Sequence, residues 1–245
     1  MKRVVVIIAA FAGAAFFVGE AGATGWRIVA SYPAPAPNAR GIQMSIPFVQ
    51  RYGVLCDGSP PRIYELLNPS RYITLNMPSG AWGYAPVAVG RIWVSNRTNH
   101  FLYEFTTSGS LVSSFRCPKN GPADLGYDRW VAIPAENVAI RLDTRGSIVS
   151  SFAGPGSRLT GLFAYGNGYD YIVGDPDTHK LYFHGYGTGS LRSPIGITSD
   201  LTTGHPPWGH VYVVDASTNY VYNFEWFGQE AVAPASLGRV KALFR

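Results

Sequence analysis

The sequence is short of charge, of sulfur and of any long run that a helix would tolerate. Only 14% of the 245 residues are charged, which argues against a coiled coil or a helical bundle. Twenty-eight Gly and eighteen Pro punctuate the chain too often for long helices. With two Cys there is no disulfide framework and no Cys-x-x-Cys metal or redox pair. A Gly-x-Ser-x-Gly elbow, a His-Glu-x-x-His helix and a phosphate-cradling Gly loop are likewise absent. The 20 Lys and Arg, for a net charge of +5, form no dense run, so nucleic acid is not the expected partner. What is present is apolar and aromatic: 47% hydrophobic residues, with 15 Tyr, 13 Phe and 6 Trp, enough for a large core and too much for disorder.

The N-terminus stands apart. Lys2 and Arg3 precede the apolar run Val4 to Val18, and Ala21-Gly22-Ala23 offers the small residues of a cleavage site. That run is shorter than the roughly 20 residues of a spanning helix, so residues 1–23 read as a secretory signal. The expected location is secreted or periplasmic, with no membrane span once the signal is gone. In an oxidising compartment Cys56 and Cys117 are open to pairing, or stay as two buried thiols.

Internal repetition organises the remainder, residues 24–245, as a single domain. Gly-Ser-Leu-Val-Ser-Ser-Phe at 109–115 returns as Gly-Ser-Ile-Val-Ser-Ser-Phe at 146–152. A second word reads Ile-Trp-Val-Ser-Asn (92–96), Tyr-Ile-Val-Gly-Asp (171–175) and Val-Tyr-Val-Val-Asp (211–215), with Val54 to Asp57 as a further copy. Tyr64, Tyr103, Tyr182 and Tyr222 set a period near 40. Each unit reads as short β-branched and aromatic strands between Gly, Asx and Pro turns. Four strands every 40 or so residues around an axis describe a β-propeller. We label the strands of each blade A to D from the axis outwards. Five A-to-C sets begin near residues 41, 80, 121, 161 and 196. Trp26 to Tyr32 matches strand D, so it is expected to complete the last blade and hide the sheet edges that chain ends would expose. Five blades of four antiparallel strands are favoured. Six with one incomplete is the alternative, because Gly238 to Arg245 reads as an unplaced strand.

The words Gly-Ser-[Leu/Ile]-Val-Ser-Ser-Phe, Pro-Gly and [Asp/Asn]-x-x-Thr-Asn-[Tyr/His]-x-x-Tyr, spread over Gly25 to Glu230, resemble secreted bacterial propellers of the TolB-like, NHL-repeat-like broad class. The resemblance implies the fold. That class holds binding scaffolds as well as metal-dependent lactonases and lyases, so activity is not implied.

Asp57, Asn96, Asp175 and Asp215 are expected to end their B strands at one face, around the channel mouth. Asp57, Asp175 and Asp215 are the metal candidates, and Ca²⁺ is the cation that such a ring of oxygens would take. The plainer reading makes each residue a cap of its own B–C turn, which the repeat alone explains. His179, beside Asp177, reads as a turn substitution for Asn99 and Asn219. His205 to His210 forms an A–B loop without a sibling, on the opposite face, and its Trp208 is the indole expected to meet a partner. Trp93 and Trp130 fall in B strands and are expected between blades. Acids on the A strands are expected to be nearly absent, Asp200 excepted. The reading that follows is a secreted, non-enzymatic propeller, without cofactor, that binds a protein or glycan through a loop face. The alternatives are a Ca²⁺-type lactonase-like hydrolase or lyase and a carbohydrate-binding propeller.

Overall fold

The short apolar words do become strands, each ended by the turn residue that follows it. The computed structural model of the protein describes residues 25–44, 51–165, 170–183, 186–189, 191–199 and 210–227. Blade one is β2 (Ala39–Met44), β3 (Tyr52–Cys56), β4 (Arg62–Glu65) and β5 (Asn68–Thr74). Blade two is β6 (Ala81–Ala88), β7 (Arg91–Asn96), β8 (Phe101–Thr106) and β9 (Leu111–Arg116). Blade three has β10 (Trp130–Ile133), β11 (Val138–Leu142) and β12 (Ile148–Ala153), and blade four β13 (Gly161–Tyr165), β14 (Asp170–Asp175), β15 (Lys180–Phe183) and β16 (Tyr186–Gly189). Blade five takes β17 (Pro194–Ser199), β18 (His210–Asp215) and β19 (Tyr220–Phe227) from one end of the chain and β1 (Gly25–Pro33) from the other.

Ring closure therefore runs as the repeat predicts: β1 pairs antiparallel with β19, Trp26 opposite Trp226 and Pro33 opposite Tyr220. The ring has five blades. Residues 238–245, the reason for considering a sixth, lie outside the described residues. Blade three departs from the four-strand pattern. Its A strand shrinks to the single bridge Leu125 to Val131, followed by a 3-10 turn at Tyr127–Arg129. Asp128 and Arg129 adopt φ of 54° and 67° there, a left-handed pair that no strand could accommodate.

Five buried clusters fill the five blade interfaces. Leu55, Tyr84 and Phe105 lie between blades one and two, and Trp93, Leu102 and Val131 between two and three. Trp130, Leu162 and Val173 lie between three and four, Phe163, Val213 and Phe224 between four and five, and Ile42, Val54 and Val214 between five and one. Trp93 and Trp130 are thus core residues, as expected of B strands. Cys56 and Cys117 fall in separate clusters and are free thiols, with burial pushing Cys56 up to about 12. The D strands form the rim. Leu111, Val112, Ile148 and Val149 of the repeated words are exposed there.

The axis is filled. At the A-strand position nearest to it four blades carry Gly41, Gly83, Gly161 and Gly196, and blade three carries Asp124. A Cβ on Gly41 would lie 3.0 Å from the Gly83 Cα, and one on Gly83 2.5 Å from the Asp124 Cα. Asp124 closes the remaining arc with its own carboxylate, Oδ2 accepting the Leu162 and Ile197 N–H groups at 2.9 Å each. A second layer crosses the axis at Gln43, whose Nε2 donates to the Leu125 carbonyl while its Oε1 accepts from Thr198 Oγ1. The expectation that A strands carry almost no acid is corrected here: Asp124 is fully buried at the centre. Asp200 lies outside the described residues.

This packing predicts a steep cost for one added methyl. A Cβ on Gly196 would stand 2.4 Å from the Arg40 carbonyl oxygen and 2.8 Å from the Gly41 Cα, and neither backbone can yield alone. Gly196→Ala is expected to destabilise by roughly 3 kcal/mol in urea denaturation. Gly58→Ala, whose nearest contact would be 3.4 Å away, should cost little.

Candidate functional site

The B–C turns and D–A loops share one face, and side chains in the turns stitch the loops down. Where β7, β14 and β18 end, Asn96, Asp175 and Asp215 point into the loop that enters their own blade. Asn96 Nδ2 donates to the Pro78 and Ser79 carbonyls, and Asp215 Oδ2 accepts from Arg192 N and Ser193 N. Asp175 Oδ2 accepts from Ser157 N and Arg158 N. Oδ1 of each caps its own turn: Thr98 N and Asn99 N donate to Asn96, Asp177 N and Thr178 N to Asp175, and Ser217 N and Thr218 N to Asp215. Burial pushes the Asp175 carboxyl up, but these N–H donors together outweigh it and hold it below the usual carboxylate range.

Asp57 does not belong to this set, and the structure corrects its register. Cys56, opposite Ala39, takes the place that Asp215 holds opposite Pro194 and Asn96 opposite Ala81. Cys56 Sγ reaches the Ala36 carbonyl at 3.6 Å. Asp57 stands one position on, beside the longer turn that holds the cis Ser59-Pro60 bond, and Oδ1 accepts from Gly80 N and Ala81 N of the loop entering blade two.

That reach into the next blade is itself repeated. The last turn residue of blades two to five, His100, Asn137, His179 and Asn219, adopts a left-handed φ of 51° to 66°. His100 Nδ1 accepts from Gly121 N, Asn137 Oδ1 from Leu159 N, and Asn219 Oδ1 from Ala39 N. His179 Nδ1 lies 2.7 Å from the Arg192 carbonyl and donates to it. With Asp57, every interface has one such clasp. His179 is thus a turn residue as expected, but its siblings are His100, Asn137 and Asn219, not Asn99.

The candidate ligands are therefore occupied by backbone. Asp57, Asp175 and Asp215 each serve a separate blade, and among the described residues no group of three or more His, Cys, Asp or Glu is placed to share a cation. Asn96, in an Asn-Arg-Thr word, is fully buried.

Four residues that the repeat gave no reason to group meet at the axis on this face. Trp82, at the start of β6, packs partly buried against both the five–one and the three–four clusters, and so spans the mouth. The guanidinium carbons of Arg40 and Arg97 lie 4.8 and 4.3 Å from its ring centre. Burial, then repulsion from Arg158 and Arg40, holds Arg97 below its ordinary value. Arg158 pairs with Asp177 through one terminal nitrogen. Its Nε and the Trp82 Nε1 are buried and without an acceptor. Among the described residues, Arg40 and Arg97 have no acidic partner. Arg40 and Trp82 precede the axial Gly41 and Gly83 of successive blades, whereas Arg97 lies in a turn and Arg158 in a loop, so no single spacing in the sequence joins all four.

On the opposite face His210 Nδ1 meets Asn223 Oδ1 at 3.0 Å, and Asn223 Nδ2 donates to the Tyr212 hydroxyl. Trp208 and His205 lie outside the described residues.

No protein-family model matches the chain, and no curated protein matches it. Among solved structures it is similar to a streptogramin B lyase, at 15% identity and a TM-score of 0.49, over 80% of this chain and 68% of the other. A catalytically inactive H270A virginiamycin B lyase from Staphylococcus aureus, solved with quinupristin, gives 15% identity and 0.48 over the same shares. The WD40 propeller domain of Doa1 gives 12% and 0.48 over 74% of this chain and 61% of that one. These likenesses extend to the propeller fold alone.

Proposed function

We propose that the chain is an exported, non-enzymatic propeller that binds a partner through the face formed by its B–C turns and D–A loops. One observation carries the reading: on that face Asp57, Asp175 and Asp215 are committed to backbone N–H groups, while among the described residues Arg40 and Arg97, stacked on Trp82, have no acidic partner. A face of this kind offers cations beside an aromatic ring to a ligand, and among the described residues Asp57, Asp175 and Asp215 are not free to serve as acid or base. Export is supported by residues 1–23 alone, in a layout that resembles the secreted TolB-like and NHL-like propellers. Titration calorimetry with Ca²⁺ and Mg²⁺ tests the non-enzymatic part. No heat of binding at millimolar ion is expected. Saturable uptake that Asp175→Asn and Asp215→Asn each abolish would favour the lactonase- or lyase-like alternative. Hits on a glycan array would make the partner a carbohydrate, and their absence would leave a protein or a small anion.

A further inference from the structure

The charge around Trp82 is unbalanced. Arg40, Arg97 and Arg158 bring three cations to one end of the axis, and among the described residues Asp177 is the one acid paired with any of them. The nearby carboxylates of Asp57 and Asp175 are already engaged by N–H donors. Two guanidiniums over one ring, both half-buried, cost desolvation and mutual repulsion that a single stacked arginine would avoid. Buried donors normally find acceptors, yet the Trp82 Nε1–H and the Arg158 Nε–H have none.

We infer that this mouth binds a doubly charged oxyanion, a phosphate, a sulfate or a paired carboxylate, with Arg40 and Arg97 as its principal ligands and Trp82 as its rigid floor. The inference rests on the face-binding reading and deepens it by naming the chemistry recognised. Planar guanidiniums suit this task, because each presents a fork of N–H donors to two oxygens at once. Two negative charges match what three arginines and one aspartate leave over. The filled axis beneath keeps the ligand at the surface, so the site suits the anionic group of a larger molecule as well as a free ion.

The test uses ¹⁵N-labelled protein titrated with inorganic phosphate, sulfate or malonate, chloride holding the ionic strength constant. The indole N–H resonance of Trp82 is assigned by its loss in Trp82→Phe. A saturable shift with at least one of the three anions is expected. It should weaken at least tenfold in the Arg40→Gln plus Arg97→Gln variant, and less in Arg97→Lys. Saturation by phosphate and sulfate only would identify a tetrahedral ligand, and by malonate only a dicarboxylate. The same anion should raise the melting temperature of the wild type and not of the double variant, which a purely structural arginine stack would not produce. Should the double variant fail to fold, Arg97→Gln alone carries the comparison. Shifts no larger than those from chloride, or equal affinity in the variants, would overturn the site. That failure leaves the face-binding reading in place, whereas uptake of Ca²⁺ or Mg²⁺ would strike the non-enzymatic reading and leave this site untouched.

Discussion

Removal of residues 25–33 is expected to abolish cooperative unfolding and to drive the protein into aggregates on size-exclusion chromatography. β1 is the outermost strand of blade five, paired along its length with β19. Without it β19 becomes a bare edge with unsatisfied N–H and C=O groups, and Asn219 keeps its partners Ala36 and Ala39 only on a loosened entry to blade one. The interface between blades five and one, which includes Tyr32, would lose one wall. A typical domain has about 5–15 kcal/mol of net stability, and a nine-residue strand at the closure can consume most of it. A synthetic peptide spanning residues 24–36, added in trans, should restore part of the transition. An unchanged melting curve for the truncated chain would contradict closure by this strand.

The second large effect is centred on Asp124. Its carboxyl is pushed well above the ordinary range, chiefly by complete burial, with N–H groups of Leu162, Ile197 and Leu125 acting in the opposite direction. A raised value in the folded state fixes the sign. At low pH the group is neutral whether folded or unfolded. As pH climbs past the ordinary aspartate value the unfolded chain ionises first, so stability falls until the folded group ionises too. The loss in that window is at most about 1.4 kcal/mol per pH unit. Asp124→Asn is expected to flatten this dependence and, at neutral pH, to be more stable than the wild type. Asp124→Ala removes the acceptor of two buried N–H groups and should cost about 2–4 kcal/mol even near pH 4. Urea midpoints for the three proteins between pH 4 and 7.5 decide the matter. A wild type that gains stability relative to Asp124→Asn across that range would show that the N–H donors, not burial, govern the group.

The architecture was legible because the rim and the turns repeat in sequence. Gly109 and Gly146 open the D strands with φ of 91° and 84°, as hairpin turns require, and the Asx words at 175–178 and 215–219 bond their own backbone. What escaped was set by single residues. Matching Asp57 to Asp215 by identity overlooked the longer turn after β3, which moves the equivalent position to Cys56. Blade three has lost most of its A strand, and with it the Gly that would have marked Asp124 as the odd member of an axial set. A gap-free comparison of Gly41, Gly83, Gly161 and Gly196 would have exposed that exception. The Arg40, Trp82, Arg97 and Arg158 assembly had no such signal. Arg40 and Trp82 do share a place, each just before an axial Gly, but as different residue types, while Arg97 and Arg158 come from a turn and a loop. The four meet only because the ring brings their blades to one point.

The pairing of β1 with β19 also sets an order of events. Roughly 200 residues separate Trp26 from its partner Trp226, so β1 stays without its neighbour until β19 is synthesised. A chain that stops short of residue 220 keeps two open seams however well its finished sheets pack. Such products are the natural prey of proteases, and the ring thereby acts as a gauge of its own length.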